Sequence, residues 1–365
     1  MKLVVTIPAQ NEEKTIASVV RGVPREIDGI SEIEVIVMDD GSTDETARRA
    51  REAGAIVVAI HGRPGLGKVF KTGQDRAMRR GADVIVNIDG DGQFNAGDIP
   101  KLVKPILDDE ADFVTCSRFK DPTLWPTMPK VKFYGNQIVT AMINWVCGGT
   151  HFSDVSCGFR AFSREAIYRL TLFGHYTYTQ ETFIDLFSKG MRIAEVPLAV
   201  RGVREHGKSR VAGSVLKYAT NSFPIIVRAM RDIEPLKFFG GIAVALLVPG
   251  IAMALFVAGW YGYTWLYEAR PRTSPFTSLI MISGVMVTLS FIMGVLALLA
   301  DMLGRHRKLS EELLYLARKK LYQNRRPPKP SHALVHIGTK LSLHDSWQGP
   351  VMKSVEPNRE EAGVR

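Results

Sequence analysis

The stretch Val84-Ile85-Val86-Asn87-Ile88-Asp89-Gly90-Asp91-Gly92-Gln93 decides how the rest of the chain is read. A β-branched, apolar run with the composition of a buried strand stops at two carboxylates spaced two residues apart. In open α/β sheets, ligands bind beyond the carboxyl ends of the strands. Side chains at i and i+2 of an extended chain point the same way, so Asp89 and Asp91 can face one target. Carboxylates that close repel unless a cation lies between them or one is protonated. A divalent ion such as Mg²⁺ or Mn²⁺ bridging a diphosphate suits hard oxygen ligands and open coordination positions. Taken alone, Asp-Gly-Asp-Gly also fits a plain turn, so the neighbours decide.

Working outward, strand and helix signals alternate over the first 120 residues, as in a mainly parallel sheet covered by helices. Strands are predicted over Leu3–Ile7, Glu34–Met38, Ile56–Ile60, Val84–Ile88 and Phe113–Cys116. Helices are predicted over Glu12–Arg21, Asp44–Ala53, Val69–Arg80 and Ile99–Leu107, with Asn11 and Ser42 or Thr43 as caps. Polar clusters follow the first, second and fourth strands, at Gln10-Asn11-Glu12, Asp39-Asp40 and Asp89–Gln93. Parallel strand ends share one edge, so the three clusters are expected to meet. Further on, helices are predicted near Gly135–Val146, Glu165–Leu170 and Thr182–Lys189, and a strand over Ile193–Val200.

The second half of the chain changes character. No charged residue occurs from Phe238 to Tyr267, nor from Thr273 to Ala300. Each run exceeds the roughly 20 helical residues that cross about 30 Å of hydrocarbon. The short link Glu268-Ala269-Arg270-Pro271-Arg272 makes the two spans a hairpin. Lys217, Arg228, Arg231 and Lys237 precede it, and Arg305, Arg307, Lys308, Arg318, Lys319 and Lys320 follow. The positive-inside rule therefore expects both flanks, the preceding α/β domain and the C-terminus in the cytoplasm. The N-terminal residues lack a signal-peptide layout, in keeping with that orientation. Leu216–Arg231 reads as a basic amphipathic helix on membrane lipids, kinked at Pro224. Much of the net charge of +10 lies beside the spans, and no nucleic-acid motif accompanies it, so nucleic acid is not expected as a partner. Cys116, Cys147 and Cys157 lack metal-ligand spacing and fit reduced thiols used for packing.

Seven blocks of sequence, in order, now carry a resemblance. They are Pro8–Glu12, Asp39–Asp44, Asp89–Gln93, Ser117-Arg118-Phe119, Asp154–Arg160, Glu195-Val196-Pro197 and Arg204–Arg210. Together they resemble family 2 glycosyltransferases of GT-A fold, and more narrowly the dolichyl- or polyprenyl-phosphate hexose synthases, over about residues 1–215. The resemblance implies a Rossmann-like α/β domain with helices on both faces, followed by a two-helix transmembrane hairpin. It divides the chain into a catalytic domain over 1–212, an amphipathic juxtamembrane helix over 213–236, two spans over 237–303 and a basic, partly disordered tail over 304–365. It also implies that Pro8, Asn11, Glu12, Asp39 and Asp40 bind the nucleoside of a nucleotide sugar, and that Asp89, Asp91 and Gln93 hold the metal on its diphosphate. Gly90 stands where the family more often has Ala, which leaves the carboxylate spacing intact, and Gln10 stands where many members have an aromatic.

The remaining candidates admit two readings each. Gly62–Lys68 begins like a phosphate-binding P-loop, but Val69 occupies the Ser/Thr position, so the resemblance to the family's Gly-rich loop, with Lys68 near the donor, is preferred. Asp154 is expected to orient or deprotonate the acceptor, or to cap a turn. Arg118, Lys132 and Arg160 are expected at the acceptor phosphate, which Arg binds bidentately. Arg204, Ser209 and Arg210 lie on a loop expected to close over the donor diphosphate, with His206 on the surface. Gln180-Glu181 either face the acceptor or open a helix whose dipole favours a carboxylate. The activity expected is metal-dependent inverting transfer of a hexose, from GDP-mannose or a UDP-sugar, to dolichyl or polyprenyl phosphate. A processive polysaccharide synthase is the rival, but the segment at Gln180 lacks its Gln-x-x-Arg-Trp block. A non-catalytic membrane scaffold is the rival of another class, and a homo-oligomer is left open.

Overall fold

The computed structural model describes residues 1–60, 65–172, 178–202, 224, 227–228, 231–232, 234–267, 273 and 275–323. Seven strands form one sheet: β1 (Lys2–Ala9), β2 (Glu32–Asp39), β3 (Ile56–Ala59), β4 (Val84–Asn87), β5 (Phe113–Ser117), β6 (Arg160–Ser163) and β7 (Ile193–Pro197). Their order is β3-β2-β1-β4-β6-β5-β7. All neighbours are parallel except at β6, which runs antiparallel to both β4 and β5. The expectation of a mainly parallel sheet holds, while β6 had no counterpart in the sequence reading. Four residues beginning with an arginine, Arg160-Ala161-Phe162-Ser163, carry no alternation that distinguishes a strand.

Helices cover both faces. On one side α1 (Ile16–Gly22), α2 (Thr46–Glu52) and α4 (Ile99–Leu107) pack Ile16, Ala50 and Leu102 onto Leu3, Val5 and Ile7 of β1. On the other, α3 (Leu66–Arg79), α5 (Lys130–Val146), α6 (Arg164–Arg169) and α7 (Thr179–Ser188) pack Phe70, Ile143, Ala166 and Phe183 near Val4, Ile36 and Met38. Alternate residues of one strand thus serve opposite cores, as the two-residue period of a strand requires. Helix α5 starts five residues before the predicted Gly135, directly behind Pro129, where a proline is tolerated ahead of the first turn.

Two long apolar helices follow, α8 (Pro235–Tyr267) and α9 (Thr277–Gln323), each long and apolar enough to cross a membrane. They run antiparallel: Ser283 Oγ donates to the Gly250 carbonyl and Ser290 Oγ to that of Ala243, both at 2.8 Å. A Cβ on Gly250 would sit 3.1 Å from Val287, so the missing side chain permits the close crossing. The expected boundary at residue 304 falls inside α9, which continues to Gln323 as one helix. Charge ends an apolar span without ending a helix. Arg305 pairs with Asp301 and Arg307 with Glu311, one turn apart, and no proline interrupts. This extension lies against the α/β fold. Arg318 donates to the carbonyls of Tyr168 (3.1 Å) and Leu170 (2.6 Å), and Tyr322 Oη donates to Asp75 at 2.6 Å. The predicted amphipathic helix at 216–231 lies mostly outside the described residues, as does the chain beyond 323.

Candidate active site

The carboxyl ends of β1, β2 and β4 lie side by side, with Ala9 opposite Asp39 and Thr6 opposite Asn87. Beyond β1 the strand order reverses direction, from β1 outward to β2 on one side and β4 on the other, which is where open α/β sheets form a crevice. The three acidic or polar clusters therefore meet at one edge. Hydrogen bonds tie them: Asp40 N–H donates to Ala9 O at 2.9 Å, Gly90 N–H to Pro8 O at 3.3 Å, and Thr15 Oγ to Gly90 O at 2.7 Å.

The loops after β1 and β2 are interlaced. Asn11 adopts φ 53°, a left-handed conformation that asparagine tolerates. Its N–H donates to Ser42 Oγ at 3.0 Å, and its Oδ1 accepts from Thr43 N–H at 2.8 Å. Asn11 thus bridges two loops and does not cap α1, whose N-cap is Thr15. Asp39 Oδ1 accepts from Ser42 N–H at 3.0 Å, which turns the chain, and Asp40 Oδ2 accepts from Gly65 N–H at 3.3 Å. Glu12 N–H donates to Thr46 Oγ at 2.8 Å. Pro8 is half-buried at the end of β1, and Lys68 is half-buried in the first turn of α3.

Asp91 is almost fully buried, and its Oδ1 accepts from Gln93 N–H at 3.0 Å. Gln93 Nε2 donates to Arg201 O at 2.9 Å, and Arg201 N–H returns a bond to Gln93 O at 3.1 Å. This links the β4 loop to the segment leading into the basic loop; Arg204, His206, Ser209 and Arg210 themselves lie outside the described residues, as do Gly62, Arg63 and Pro64. Among the described residues no group of three His, Cys, Asp or Glu side chains converges as a metal site. Asp89 and Asp91, with the side-chain oxygen of Gln93, are a donor set of hard oxygens. Such a set fits an ion that takes its other ligands from a diphosphate and water.

The residues expected from sequence to meet the acceptor are placed as follows. Asp154 is fully buried, and Arg118 clasps it with two bonds, Nε to Oδ2 at 2.6 Å and Nη2 to Oδ1 at 2.9 Å. Ser156 N–H (3.1 Å), Arg118 N–H (3.2 Å) and Asn136 Nδ2 (3.4 Å) complete its shell. Burial pushes the Asp154 carboxyl upward, but the Arg118 charge and hydrogen bonds prevail and hold it below the usual carboxylate range. A depressed, paired and buried carboxylate is a poor proton acceptor, which favours the orienting and turn-holding alternatives for Asp154 over that of a base. Glu195 fixes the same turn, accepting from the N–H groups of Ser153 and Asp154 at 2.9 and 3.0 Å, and burial raises its pKa.

Arg160 requires correction. It is fully buried, and its guanidinium donates to the carbonyls of Cys157 (2.7 Å), Thr179 (2.8 Å) and Val155 (3.0 Å). It sits over the rings of Phe183, Phe113 and Tyr178. Such a residue braces loops and does not reach an incoming phosphate. Lys132 is half-buried in the first turn of α5. Gln180 is buried with Nε2 toward Ser156 Oγ at 3.3 Å, while Glu181 lies half-exposed in the first turn of α7. Missed from sequence were Asn87 and Tyr178, which back Gly158 where it lies against Asp89: Asn87 Nδ2 donates to Tyr178 Oη (2.8 Å) and to Gly158 O (3.0 Å). An asparagine as the last residue of an otherwise apolar buried strand was the available signal.

The profile of the domain described as glycosyl transferase family 2 matches residues 4–171. The UDP-N-acetylglucosamine–dolichyl-phosphate N-acetylglucosaminyltransferase of Methanococcus voltae is 31% identical over 53% of this chain and 82% of its own length. The undecaprenyl-phosphate mannosyltransferase of Micrococcus luteus is 27% identical over 59% of this chain and 90% of its own. Glycosyltransferase AglJ of Haloferax volcanii is 29% identical and aligns with 84% of this chain and 96% of its own. Among solved structures, glucosyl-3-phosphoglycerate synthase of Mycobacterium tuberculosis, crystallised with Mn²⁺ and UDP-glucose, is similar at a TM-score of 0.50 and 27% identity, over 63% of this chain and 79% of that one. The chain belongs to glycosyl transferase family 2 and is a glycosyltransferase.

Proposed function

We propose that this enzyme transfers a hexose, with inversion, from a nucleoside-diphosphate sugar to a dolichyl or polyprenyl phosphate at the cytoplasmic membrane face. The observation that carries the reading is the meeting of the Asp39, Asp40, Asp89 and Asp91 strand ends at one edge, in the same compact unit as two helices long enough to span a bilayer. The named activities of the Methanococcus and Micrococcus relatives support the acceptor class.

In this reading Pro8, Asn11, Glu12, Asp39 and Asp40 hold the nucleoside, and Asp89, Asp91 and Gln93 would hold Mg²⁺ or Mn²⁺ on the diphosphate. Such an ion, when bound, would supply charge that stabilises the departing nucleoside diphosphate. A lipid phosphate oxygen attacks the anomeric carbon as the bond to the diphosphate breaks. A phosphate is already anionic near neutral pH, so no strong base is needed, which accords with Asp154 being held ionised by Arg118. Lys68, Lys132 and the loop bearing Arg204, Ser209 and Arg210 supply positive charge around the donor and acceptor. Pro235 at the start of α8 lies 3.6 Å from where a Cβ on Gly304 would be, so the two outer ends of the hairpin are level. The extension of α9 beyond Gly304 docks on the catalytic fold, which supports placing both on one side of the membrane.

The test is to incubate membranes containing the enzyme with labelled UDP- and GDP-sugars and to look for a mild-acid-labile glycolipid. Asp91→Ala and EDTA should each abolish the product. Normal turnover in either case would overturn the metal-dependent mechanism, and absence of lipid product with every donor would overturn the acceptor class.

A further inference from the structure

Gly158 faces Asp89 across the sheet. Asn87 of β4 pairs with Arg160 of the antiparallel β6. Continuing that register two residues past the end of the ladder brings Gly158 opposite Asp89. Directly opposed side chains in an antiparallel pair are close neighbours. At this position there is none, and the Asp89 carboxylate occupies the room. A Cβ on Gly158 would lie 2.7 Å from Asp89 Oδ2, 3.2 Å from Oδ1 and 3.3 Å from Cγ. Its three nearest neighbours would all be atoms of this one side chain.

The backbone at Gly158 does not call for glycine, since its φ lies outside the left-handed region. Its carbonyl is held from behind by Asn87 Nδ2 at 3.0 Å and Tyr178 Oη at 3.5 Å. Tyr178 is itself fixed by stacking on Phe70, ring centroids 3.9 Å apart. The glycine therefore has little freedom to retreat from an added methyl, whereas a carboxylate at the end of a short side chain can turn away.

We infer that Gly158, backed by Asn87 and Tyr178, is a positioning residue: its bare Cα sets where the Asp89 carboxylate stands and so tunes the affinity for the divalent ion on a bound nucleoside diphosphate. The inference rests on the reading of Asp89 as a metal ligand. In Gly158→Ala the carboxylate must withdraw by roughly 0.5–1 Å to reach ordinary contact distance. Groups that orient a metal ligand from behind change metal affinity by about 10–100-fold when altered.

The experiment uses the full chain purified in detergent and titrates Mn²⁺ in the presence of UDP and, separately, GDP, following free Mn²⁺ by its paramagnetic resonance signal with no turnover. Gly158→Ala should bind Mn²⁺ about 10–100-fold more weakly than the parent. Gly73→Ala, whose Cβ would meet neighbours at 3.4–3.6 Å, should bind as the parent does. The double variant Asp89→Ala/Gly158→Ala should bind no more weakly than Asp89→Ala alone, since the methyl acts only through the carboxylate. Unchanged affinity in Gly158→Ala, or additive losses in the double variant, overturns the inference and leaves the proposed function standing. If the parent binds no Mn²⁺ with either nucleotide, the metal reading fails and the inference fails with it. Should Gly158→Ala not fold, Tyr178→Phe, which withdraws the hydroxyl behind the glycine without adding bulk, should weaken Mn²⁺ in the same direction; parent-like affinity there would count against the inference.

Discussion

Replacing Arg118 by alanine should damage the protein's stability before it damages any encounter with substrate. The Asp154 side chain is fully buried, while that of Arg118 is 20% exposed. Arg118→Ala removes the two charge-assisted bonds at 2.6 and 2.9 Å and leaves an ionised carboxylate with three neutral donors at 3.1–3.4 Å. Breaking a buried pair by deleting one partner costs about 3–5 kcal/mol. For a domain of this size that corresponds to a fall in melting temperature on the order of 10 °C. Asp154→Asn is the informative contrast. It leaves a guanidinium that can still reach water, so its cost should be smaller, about 1.5–3 kcal/mol.

All three cysteines are buried and free, so a thiol-reactive dye that fluoresces on reaction reports unfolding directly in detergent. The expected order of melting temperature is parent, then Asp154→Asn, then Arg118→Ala. The pH dependence has a definite sign. The folded Asp154 carboxyl titrates below its unfolded value, so the pair's contribution is present above about pH 4 and is lost as pH falls through the folded value. A parent-like melting temperature for Arg118→Ala, with only a raised KM for lipid phosphate, would refute this account and return Arg118 to the acceptor role expected from sequence.

Arg160→Leu should likewise destabilise by several kcal/mol, since three buried carbonyls lose their donor; retained stability with a selective loss of acceptor affinity would contradict its placement. Asp185, where burial outweighs Lys189, has its pKa raised to about 6. Between about pH 4 and 6 the folded state therefore holds a proton that the unfolded chain has released, so this locus loses stability as pH rises through 6. Asp185→Asn should remove that slope from a plot of melting temperature against pH. Inserting seven alanines after Gly304 adds about 10 Å of helix while roughly preserving the docked face. It should lower transfer to membrane-embedded polyprenyl phosphate and spare Mn²⁺-dependent nucleotide binding, measured by calorimetry.

The edge where the clusters meet was legible because it depends on local rules. Apolar runs that stop at Asp39, Asp40, Asp89 and Asp91 mark strand ends, and parallel strands align those ends without further information. Asp154 and Arg160 were not legible for the opposite reason. Their residue types suit catalysis and phosphate binding, but their role is set by burial: Arg160 opens β6, a four-residue strand entering between β4 and β5, and Asp154 is enclosed by Arg118 and Asn136. An arginine at a substrate and an arginine bracing loops are the same letter. Only the partners separate them, and for Arg160 those partners are carbonyls on segments as far away as Thr179.

The extension of α9 shows the same limit from the other direction. Hydropathy marks where the apolar stretch ends, near Gly304, because charge is costly in hydrocarbon. It says nothing of what the helix does next. The following 19 residues to Gln323 project about 28 Å at the rise of an α-helix. Along that length Glu311 meets Lys189 at 3.3 Å, Arg169 lies 4.3 Å over the Tyr315 ring, and Tyr322 reaches Asp75 on α3. These contacts fall on α3, α6 and the residue that caps the end of α7, helices that all lie on one face of the sheet. A helix gripped at several points along one face resists tilting as well as separation. If the apolar half spans the bilayer, the docked half limits how far the Asp89 and Asp91 edge can stand from the lipid head groups. An acceptor whose phosphate is confined to that surface needs a site held at a set distance, which a disordered basic tail would not supply.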